Sequence, residues 1–174
     1  MANAPEVVQW EFEKGAITFR GHRMCLMDTT FFSGLKQEMA DMMGIGGAKA
    51  VLRSVARRGG QETATVLSGD YGHLNTFAKM LEQAPAILNN IFPLYGWGIG
   101  EITVDSEKQE LVLKLRHSYE AQGLSAEFST PSCYLLEGYM EGIISGLLTE
   151  DIEFRETKCV TLGDDCCEFT CHTA

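Results

Sequence analysis

The fold is decided by residues 133–171, which read CYLLEGYMEGIISGLLTEDIEFRETKCVTLGDDCCEFTC. This stretch contains a long helical segment that begins just after Pro131, followed by two short segments with strand character around a polar turn. The predicted elements are, in order, a helix from about Cys133 to Leu148, a strand from Ile152 toward Cys159, a turn at Leu162–Asp165 and a strand at Glu168–Cys171. The chain is therefore predicted to end in helix, strand, turn, strand.

Three glycines mark the predicted helix. Gly138, Gly142 and Gly146 fall every four residues and so form one ridge of small residues along a single face. Interior helical glycines usually have a packing reason, because each costs up to about 1 kcal/mol of helix propensity against alanine. The ridge predicts close packing against a sheet or another helix, and the alternative is a ligand that lies in the glycine groove.

Upstream, the sequence alternates between strand-like and helix-like segments, so the predicted fold class is α+β with an antiparallel sheet. In the first of two predicted sheet strands, glycine alternates with bulky residues in the run YGWGIGE from Tyr95, which indicates a bent strand. In the second, Leu111, Leu113 and Leu115 share one face, which we expect to meet the core. The predicted elements are a hairpin at Val7–Arg20, helices at Thr30–Met43, Ala48–Arg58 and Leu74–Ala84, a short helix or turn at Pro85–Asn90, and strands at Glu101–Val104 and Glu110–Arg116. Gly44 and Gly59-Gly60 are taken as the ends of the first two helices, and Pro85 as the end of the third.

Composition and charge exclude several classes of protein. The 174 residues fit a single domain over 1–174, with a hairpin and helices in 1–95 and a signature part in 96–171. Lys and Arg total 14 against 24 Asp and Glu, which leaves a formal charge of -10. No basic stripe for nucleic acid is expected, since the only basic cluster is Arg53, Arg57 and Arg58. Neither a secretory peptide nor a transmembrane segment is recognisable, so we expect a cytoplasmic protein, with peripheral membrane attachment left open.

Cysteine is concentrated at the C-terminal end. Five of six cysteines lie in residues 133–171, and thiols of a cytosolic protein are not expected to form a disulfide framework. Cys159 and Cys167 flank the turn at Gly163, and Cys133 precedes the glycine-marked helix, so three thiolates could meet on one zinc ion. The alternative is that these cysteines are small buried hydrophobes. Adjacent strand residues face opposite ways, so either Cys166 or its neighbour is a bystander. Cys171 and His172 are spare candidates.

The C-terminal motifs resemble those of the 4-vinyl reductase domain family, which is related to the sensor domains of aromatic-responsive transcription activators. The resemblance is strongest from His117 to Phe169, and Gly44–Ala64 and Gly96-Trp-Gly98 also fit the family. It implies a fold similar to haem NO-binding domains and to vesicle-tethering domains of the TRAPP type. The matching runs are Cys133-Tyr-Leu-Leu-Glu-Gly-Tyr-Met-Glu-Gly142, Glu156-Thr-Lys-Cys159 and Gly163-Asp-Asp-Cys-Cys167-Glu-Phe169.

The resemblance also implies a metal site. In the related sensor domains three cysteines and a glutamate bind zinc, and the matching positions are Cys133, Cys159, Cys167 and Glu156, which selects Cys167 over Cys166. Glu156 and Cys159 would face opposite sides of a regular strand, so the backbone must leave strand geometry between them. Glu120 is the other candidate for the fourth ligand, and a solvated strand-end carboxylate is the alternative for Glu156. Such a closed site would be structural, because a catalytic zinc keeps an open position.

For function, the resemblance implies a small-molecule-binding domain whose relatives take aromatic hydrocarbons, phenols or tetrapyrroles. We expect a stand-alone binding or carrier domain that handles a tetrapyrrole in (bacterio)chlorophyll metabolism or photosystem assembly, peripheral to a photosynthetic membrane. The alternatives are a protein-interaction scaffold and an enzyme of tetrapyrrole metabolism, although no catalytic constellation or cofactor fingerprint is seen. A homodimer that pairs through the N-terminal hairpin and contacts with assembly partners are also expected. His22 or His73 could ligate a haem or chlorophyll metal. Aromatic residues predicted to line the pocket, or else to pack in the core, are Phe92, Tyr95, Trp97, Tyr119, Tyr134 and Tyr139.

Overall fold

The computed structural model describes residues 8–19, 21–105, 107–122, 130–148 and 150–173, with the side chains of 86–91 and 94 left aside. It contains three α-helices and two antiparallel sheets, which confirms the α+β class. The helices are α1 (Thr29–Tyr71), α2 (Phe77–Leu94) and α3 (Tyr134–Leu147), and short 3-10 helices lie at Phe12–Lys14 and Val160–Leu162. The strands are β1 (Val8–Glu11), β2 (Ala16–Phe19), β3 (His22–Met24), β4 (Ile99–Asp105), β5 (Glu110–Arg116), β6 (Ile152–Lys158) and β7 (Cys167–Thr173).

The N-terminal hairpin and the larger sheet follow the predicted pattern. The small sheet has the order β1-β2-β3, and Gly15 adopts a positive φ of 56° at the turn of the predicted hairpin. Strand β3 is an addition to the prediction, because three residues are too short to show alternation. The larger sheet has the order β4-β5-β7-β6. Leu111, Leu113 and Leu115 of β5 are buried on its inner face, which confirms their predicted direction.

Helix α1 is interrupted at Gly44, as predicted, but its second half is much longer than predicted. Gly44 has φ 77° and ψ 162°, which are not helical values. The prediction that a helix ends at Gly59-Gly60 is wrong, since α1 continues to Tyr71. The physical reason is packing: a Cβ atom on Gly60 would lie 2.2 Å from the carbonyl oxygen of Tyr139 in α3. This glycine is present for close approach and does not end the helix.

The glycine ridge of α3 is the other side of this contact. A Cβ atom at Gly138 would lie 2.2 Å from the carbonyl oxygen of Arg53, and one at Gly142 would lie 2.1 Å from that of Arg57. The packing interpretation is therefore confirmed. The alternative of a ligand in the glycine groove is wrong, because the backbone of α1 fills that groove.

Helix α2 differs from its prediction at both ends. It begins at Phe77, whose N–H donates to the Glu150 carboxylate at 2.9 Å, and it continues through Pro85 to Leu94. Proline lacks an N–H and so removes one helical hydrogen bond, but Leu81 and Ala84 are buried next to the lost bond and hold the helix in place. The prediction that Pro85 ends the helix is wrong for this reason.

Helix α3 occupies the centre of the described structure, because it contacts α1 along the glycine ridge and β6 of the larger sheet. Its N-terminal end lies beside the start of β7, and its C-terminal end lies among apolar residues of α1 and α2. No helix among the described residues is both long and apolar enough to span a membrane.

Candidate metal centre and ligand cavity

Four buried side chains meet at the N-terminal end of α3. They are Cys133 at the N-cap of α3, Glu156 on β6, Cys159 just beyond β6 and Cys167 at the start of β7. One ligand atom from each lies within 4.8 Å of the others. The sulfur of Cys167 lies 3.6 Å from that of Cys133 and 3.8 Å from that of Cys159. The structure thus brings together all four residues that the resemblance selected.

A break in the β6–β7 pairing makes this convergence possible. The register between the two strands shifts between Glu156 and Lys158, so the backbone departs from regular strand geometry there. The side chain of Glu156 and that of Cys159 can therefore reach the same place, as the sequence required. Gly163, with φ 94°, then ends the short 3-10 helix and returns the chain toward Cys167.

The carboxylate of Glu156 has one oxygen bonded and one free. Its Oε2 accepts the backbone N–H of Cys133 at 2.8 Å, whereas Oε1 has no hydrogen-bond partner among the described residues. Burial, and then the neighbouring sulfur of Cys159, raise the pKa of Glu156 to about 9. A cation in the cluster would favour the charged carboxylate and satisfy the free oxygen.

The three sulfurs share their protons unequally. Hydrogen bonds from Cys133 and Cys167 lower the pKa of Cys159, and hydrogen bonding with Cys159 raises the pKa of Cys133. The Cys159 sulfur also lies 3.1 Å from the hydroxyl of Thr161, and its backbone N–H donates to Asp164 at 2.9 Å. Zinc bonds to thiolate at about 2.3 Å, which places sulfurs of a tetrahedral site about 3.8 Å apart, close to the observed separations. The donor set and its spacing fit zinc.

The remaining candidates lie elsewhere. Cys166 is half-buried and outside the cluster, while Cys171 is buried within the sheet, where burial raises its pKa to about 12. The two carboxylate oxygens of Glu120 accept the N–H groups of Leu135 and Leu136 at 2.9 and 2.8 Å. Glu120 also pairs at 3.6 Å with the buried amine of Lys36, so it caps the start of α3 and is not part of the cluster.

A second feature, an apolar cavity with a volume of ≈ 40 Å³, lies at the C-terminal half of α3. Three of the six predicted pocket residues line it. Tyr95 and Trp97 stack at 5.0 Å, and Tyr139 meets Trp97 edge-on at 5.3 Å. The full lining is Phe19, Thr63, Leu67, Tyr71, Leu74, Met80, Tyr95, Trp97, Tyr139, Met140, Ile143, Ile144 and Leu147.

The other three predicted pocket residues do not line this cavity. Phe92 and Tyr119 lie behind Trp97, at ring distances of 5.9 and 6.5 Å. Tyr134 packs with Leu52 in a separate cluster, with the amine of Lys49 5.5 Å from its ring centre. Placing these three in the pocket was wrong, because their aromatic character serves core packing instead.

Sequence reasoning missed most of the apolar wall, although part of its signal was available. Met140, Ile143, Ile144 and Leu147 are spaced at helical intervals on one face of α3. Thr63, Leu67 and Tyr71 recur every four residues in α1, but only beyond the point where that helix was predicted to end. Neither His22 nor His73 is part of the lining, so the structure offers no support for either as a ligand of a metal held in this cavity.

The main polar contact of the wall is a pair of hydroxyls. The Thr63 hydroxyl and the Tyr139 phenol lie 2.6 Å apart, and the former also donates to the carbonyl oxygen of Gly59 at 3.1 Å. Two hydroxyls in an otherwise apolar wall are typical of a pocket that orients a small, mostly apolar molecule.

Comparison with known families is consistent with both features. Residues 111–173, which include the four clustered side chains, match the model of the 4-vinyl reductase domain. The chain carries a 4-vinyl reductase domain. Residues 5–90 match a second model, described as the activator of aromatic catabolism, which covers the N-terminal half. The resemblance to the 4-vinyl reductase family and to sensor domains of aromatic-responsive activators is thereby confirmed.

Among individual proteins, this 4-vinyl reductase domain chain is similar to the phenol regulator MopR of Acinetobacter guillouiae. The two are 26% identical over 165 residues, which cover 92% of this chain and 29% of the regulator. An uncharacterized protein of Methanocaldococcus jannaschii is 37% identical over 71 residues, which cover 41% of this chain and 38% of that protein. The chain thus matches less than half the length of each relative.

Solved structures confirm the fold. The phenol-responsive sensory domain of the activator PoxR, solved with phenol, superposes with a TM-score of 0.74 at 21% identity, over 97% of this chain and 85% of that one. A TRAPP complex subunit 3 from Naegleria fowleri, covalently bound to palmitic acid, gives 0.66 at 14% identity, over 84% and 92%. An H-NOX domain from Shewanella oneidensis gives 0.56 at 12% identity, over 86% and 77%. The predicted similarity to haem NO-binding and TRAPP-type domains therefore holds at the level of fold.

Proposed function

We propose that this 4-vinyl reductase domain binds a compact aromatic or hydrophobic molecule in the cavity beside Trp97, and a structural zinc ion at the four-residue cluster. The cavity is the observation that carries the ligand part of the proposal. Its wall combines flat aromatic rings with aliphatic side chains and one hydroxyl pair, Thr63 and Tyr139. The phenol named with one similar sensory domain and in the name of the similar regulator supports the same class of ligand.

The size of the cavity favours a single ring. A volume of ≈ 40 Å³ is far below the roughly 300–1,000 Å³ of sites for drug-sized ligands. Two lining residues, Met80 and Met140, have flexible side chains that can move to enlarge the space. A tetrapyrrole would require a much larger opening, so a role in chlorophyll metabolism, photosystem assembly or at a photosynthetic membrane stays a prediction without support from the cavity.

The proposed zinc has a mechanical role. Bound by three thiolates and a carboxylate, zinc would supply a closed tetrahedral crosslink without a position for water or substrate. The residues themselves come from three elements, so Cys133 would fix the start of α3 to the β6–β7 hairpin that carries Cys159 and Cys167. The unpartnered oxygen of Glu156 supports this proposal, since a buried carboxylate oxygen requires a partner.

Ligand binding can be tested by calorimetric titration of the purified domain with phenol, indole, toluene and protoporphyrin IX. Heat of binding is expected with the single-ring or two-ring compounds. An Ile144→Phe variant, which fills the cavity wall, is expected to abolish that heat, whereas Tyr134→Phe, in the same helix but outside the cavity, is expected to leave it unchanged. Binding of protoporphyrin alone would contradict the compact-ligand proposal, and equal binding by Ile144→Phe would show that the ligand lies elsewhere.

Zinc binding and assembly can be tested together by native mass spectrometry with metal analysis. One zinc ion per chain is expected, and a metal-free folded protein would contradict the proposed centre. The same spectrum tests the homodimer, which remains a proposal. Trp10 and Phe12 of the N-terminal hairpin stack at 6.0 Å and are 52% and 83% exposed, which supports pairing through this hairpin.

A further inference from the structure

Two buried carboxylates, one helical turn apart on α3, face the cations of α1. Glu137 is 1% exposed and Glu141 is 6% exposed. Lys49 and Arg53 form ion pairs with Glu137 at 3.5 and 3.1 Å, and Arg53 and Arg57 form ion pairs with Glu141, the latter at 3.3 Å. In these contacts the two carboxylates are nearly equivalent, since both neutralise α1 cations across the same glycine-mediated helix contact.

They differ in what else they reach. Oε2 of Glu137 accepts the backbone N–H of Glu156 on β6 at 3.3 Å. The Glu141 carboxylate pairs instead with the guanidinium groups of Arg53 and Arg57 in α1. The side chain of Arg53 also donates to the carbonyl oxygen of Phe154 at 3.4 Å. Side chains from α3 and α1 therefore bond the backbone of β6, an edge strand of its sheet, immediately before it leaves its pairing with β7.

Glu156 is consequently held at two points. Glu137 holds its backbone N–H, and the N–H of Cys133 holds its Oε2, which leaves Oε1 directed to the cluster without another partner among the described residues. Partners beyond the metal ligands orient those ligands, and their loss typically costs about 10–100-fold in metal affinity.

We propose that Glu137 is a positioning residue of the metal centre, which fixes the β6 backbone so that Glu156 points at Cys133, Cys159 and Cys167. Glu141 contributes to the stability of the α1–α3 contact alone. The inference rests on the proposed zinc site. Through Arg53 and Glu137, the charged face of α1 thus extends to the metal ligands, although no α1 residue is itself in the cluster.

The experiment compares Glu137→Ala with Glu141→Ala in the full chain. Zinc affinity is measured by competition with a chromophoric chelator, and cobalt(II) absorption reports the ligand geometry. Glu137→Ala is expected to bind zinc about 10–100-fold more weakly and to change the cobalt spectrum, because Glu156 is no longer held. Glu141→Ala is expected to keep the wild-type affinity and spectrum. Glu137→Gln should restore most of the affinity, since its amide oxygen can still accept the Glu156 N–H.

If the alanine variants do not fold, Glu137→Asp and Glu141→Asp provide the same comparison. Each keeps its charge for α1 but withdraws the carboxylate by about 1.5 Å, which is enough to lose a bond of 3.3 Å in the first case. Equal zinc affinities and spectra in the matched variants would overturn the positioning role. A wild-type protein that binds neither zinc nor cobalt would overturn the proposed metal centre itself, and the two failures are thereby distinguished.

Discussion

The two ends of α3 present opposite kinds of site. At its N-terminal end, Cys133 meets three other polar ligands whose identity is dictated by what a metal requires. Its C-terminal half contributes Ile143, Ile144 and Leu147 to a cavity whose wall tolerates many apolar residues of suitable shape. The first kind of site is encoded in residue types and spacing, and the second in how helices approach each other. A sequence therefore reveals the first more readily than the second.

The largest effect is expected at the metal end, from Cys167→Ser compared with Cys166→Ser. The first removes a buried cluster ligand, and because metal binding couples to folding it should lose zinc and several kcal/mol of unfolding free energy. The second changes a half-buried neighbour outside the cluster and should change neither. Zinc content and urea unfolding measure both. Equal losses in the two variants would show that the cluster does not distinguish these neighbours.

The contact between the two ends can be disturbed with Gly142→Ala. The new Cβ would lie 2.1 Å from the carbonyl oxygen of Arg57, so α1 and α3 must separate, at a cost of about 1–3 kcal/mol of unfolding free energy or more. Gly46→Ala is the matched control, because nothing lies within 4 Å of its Cβ position, and it should stabilise by about 0.5–1 kcal/mol. Thermal unfolding compares them. A harmless Gly142→Ala would mean that the helices are not held this closely in solution.

A buried cysteine outside the cluster should behave differently from the proposed zinc ligands. The pKa of Cys171 is raised to about 12 in the folded state, against about 8.5 in an unfolded chain. Above pH 8.5 the unfolded state thus binds fewer protons at this thiol than the folded state, so stability falls as pH rises toward 12. Between pH 7 and 10 this thiol should account for about 1–2 kcal/mol of that fall.

Urea unfolding of Cys171→Ala over the same pH range checks this expectation. The variant should show a shallower decline in unfolding free energy than the wild type, after correction for its own loss of packing at pH 7. Parallel declines in the two proteins would show that this thiol does not titrate differently on folding.

The smallest effect is expected at the cavity end, from Tyr139→Phe. Loss of its hydroxyl leaves Thr63 without one partner, which should cost about 1 kcal/mol of unfolding free energy and alter affinity for single-ring ligands. Zinc affinity should not change, because this hydroxyl lies in the cavity wall and outside the cluster. Tyr134→Phe should leave ligand affinity unchanged, and calorimetry of both variants checks the contrast. A change of zinc affinity in Tyr139→Phe would instead link the two ends.

Much of the fold could be predicted, and the errors have common physical causes. The α+β class, the β5 face and the break at Gly44 followed from local pattern and turn chemistry. The boundaries at Gly60 and Pro85 were wrong because tertiary packing overrode local propensity, through the contact with α3 in one case and burial around α2 in the other. The single-domain assignment and the absence of enzymatic activity stay predictions.

The candidate site divides in the same way. Cys133, Cys159 and Cys167 could be selected because few residues serve as zinc ligands, and the bulge beyond Glu156 could be anticipated because a regular strand would separate it from Cys159. The cavity could be predicted only in part, since the wall residues Leu67 and Tyr71 lie in the unforeseen half of α1. An aromatic residue alone does not state which side of a helix it will occupy.

The break at Gly44 has a consequence for how the chain can vary in length. Each helical residue turns the direction of following side chains by about 100°, so an insertion within 45–71 would rotate Thr63, Leu67 and Tyr71 away from the cavity. The extended backbone at Gly44 interrupts that angular relation between the two halves of α1. A residue added or removed beside this glycine can be accommodated by the backbone there, whereas the same change several turns later would displace the whole ligand-facing surface.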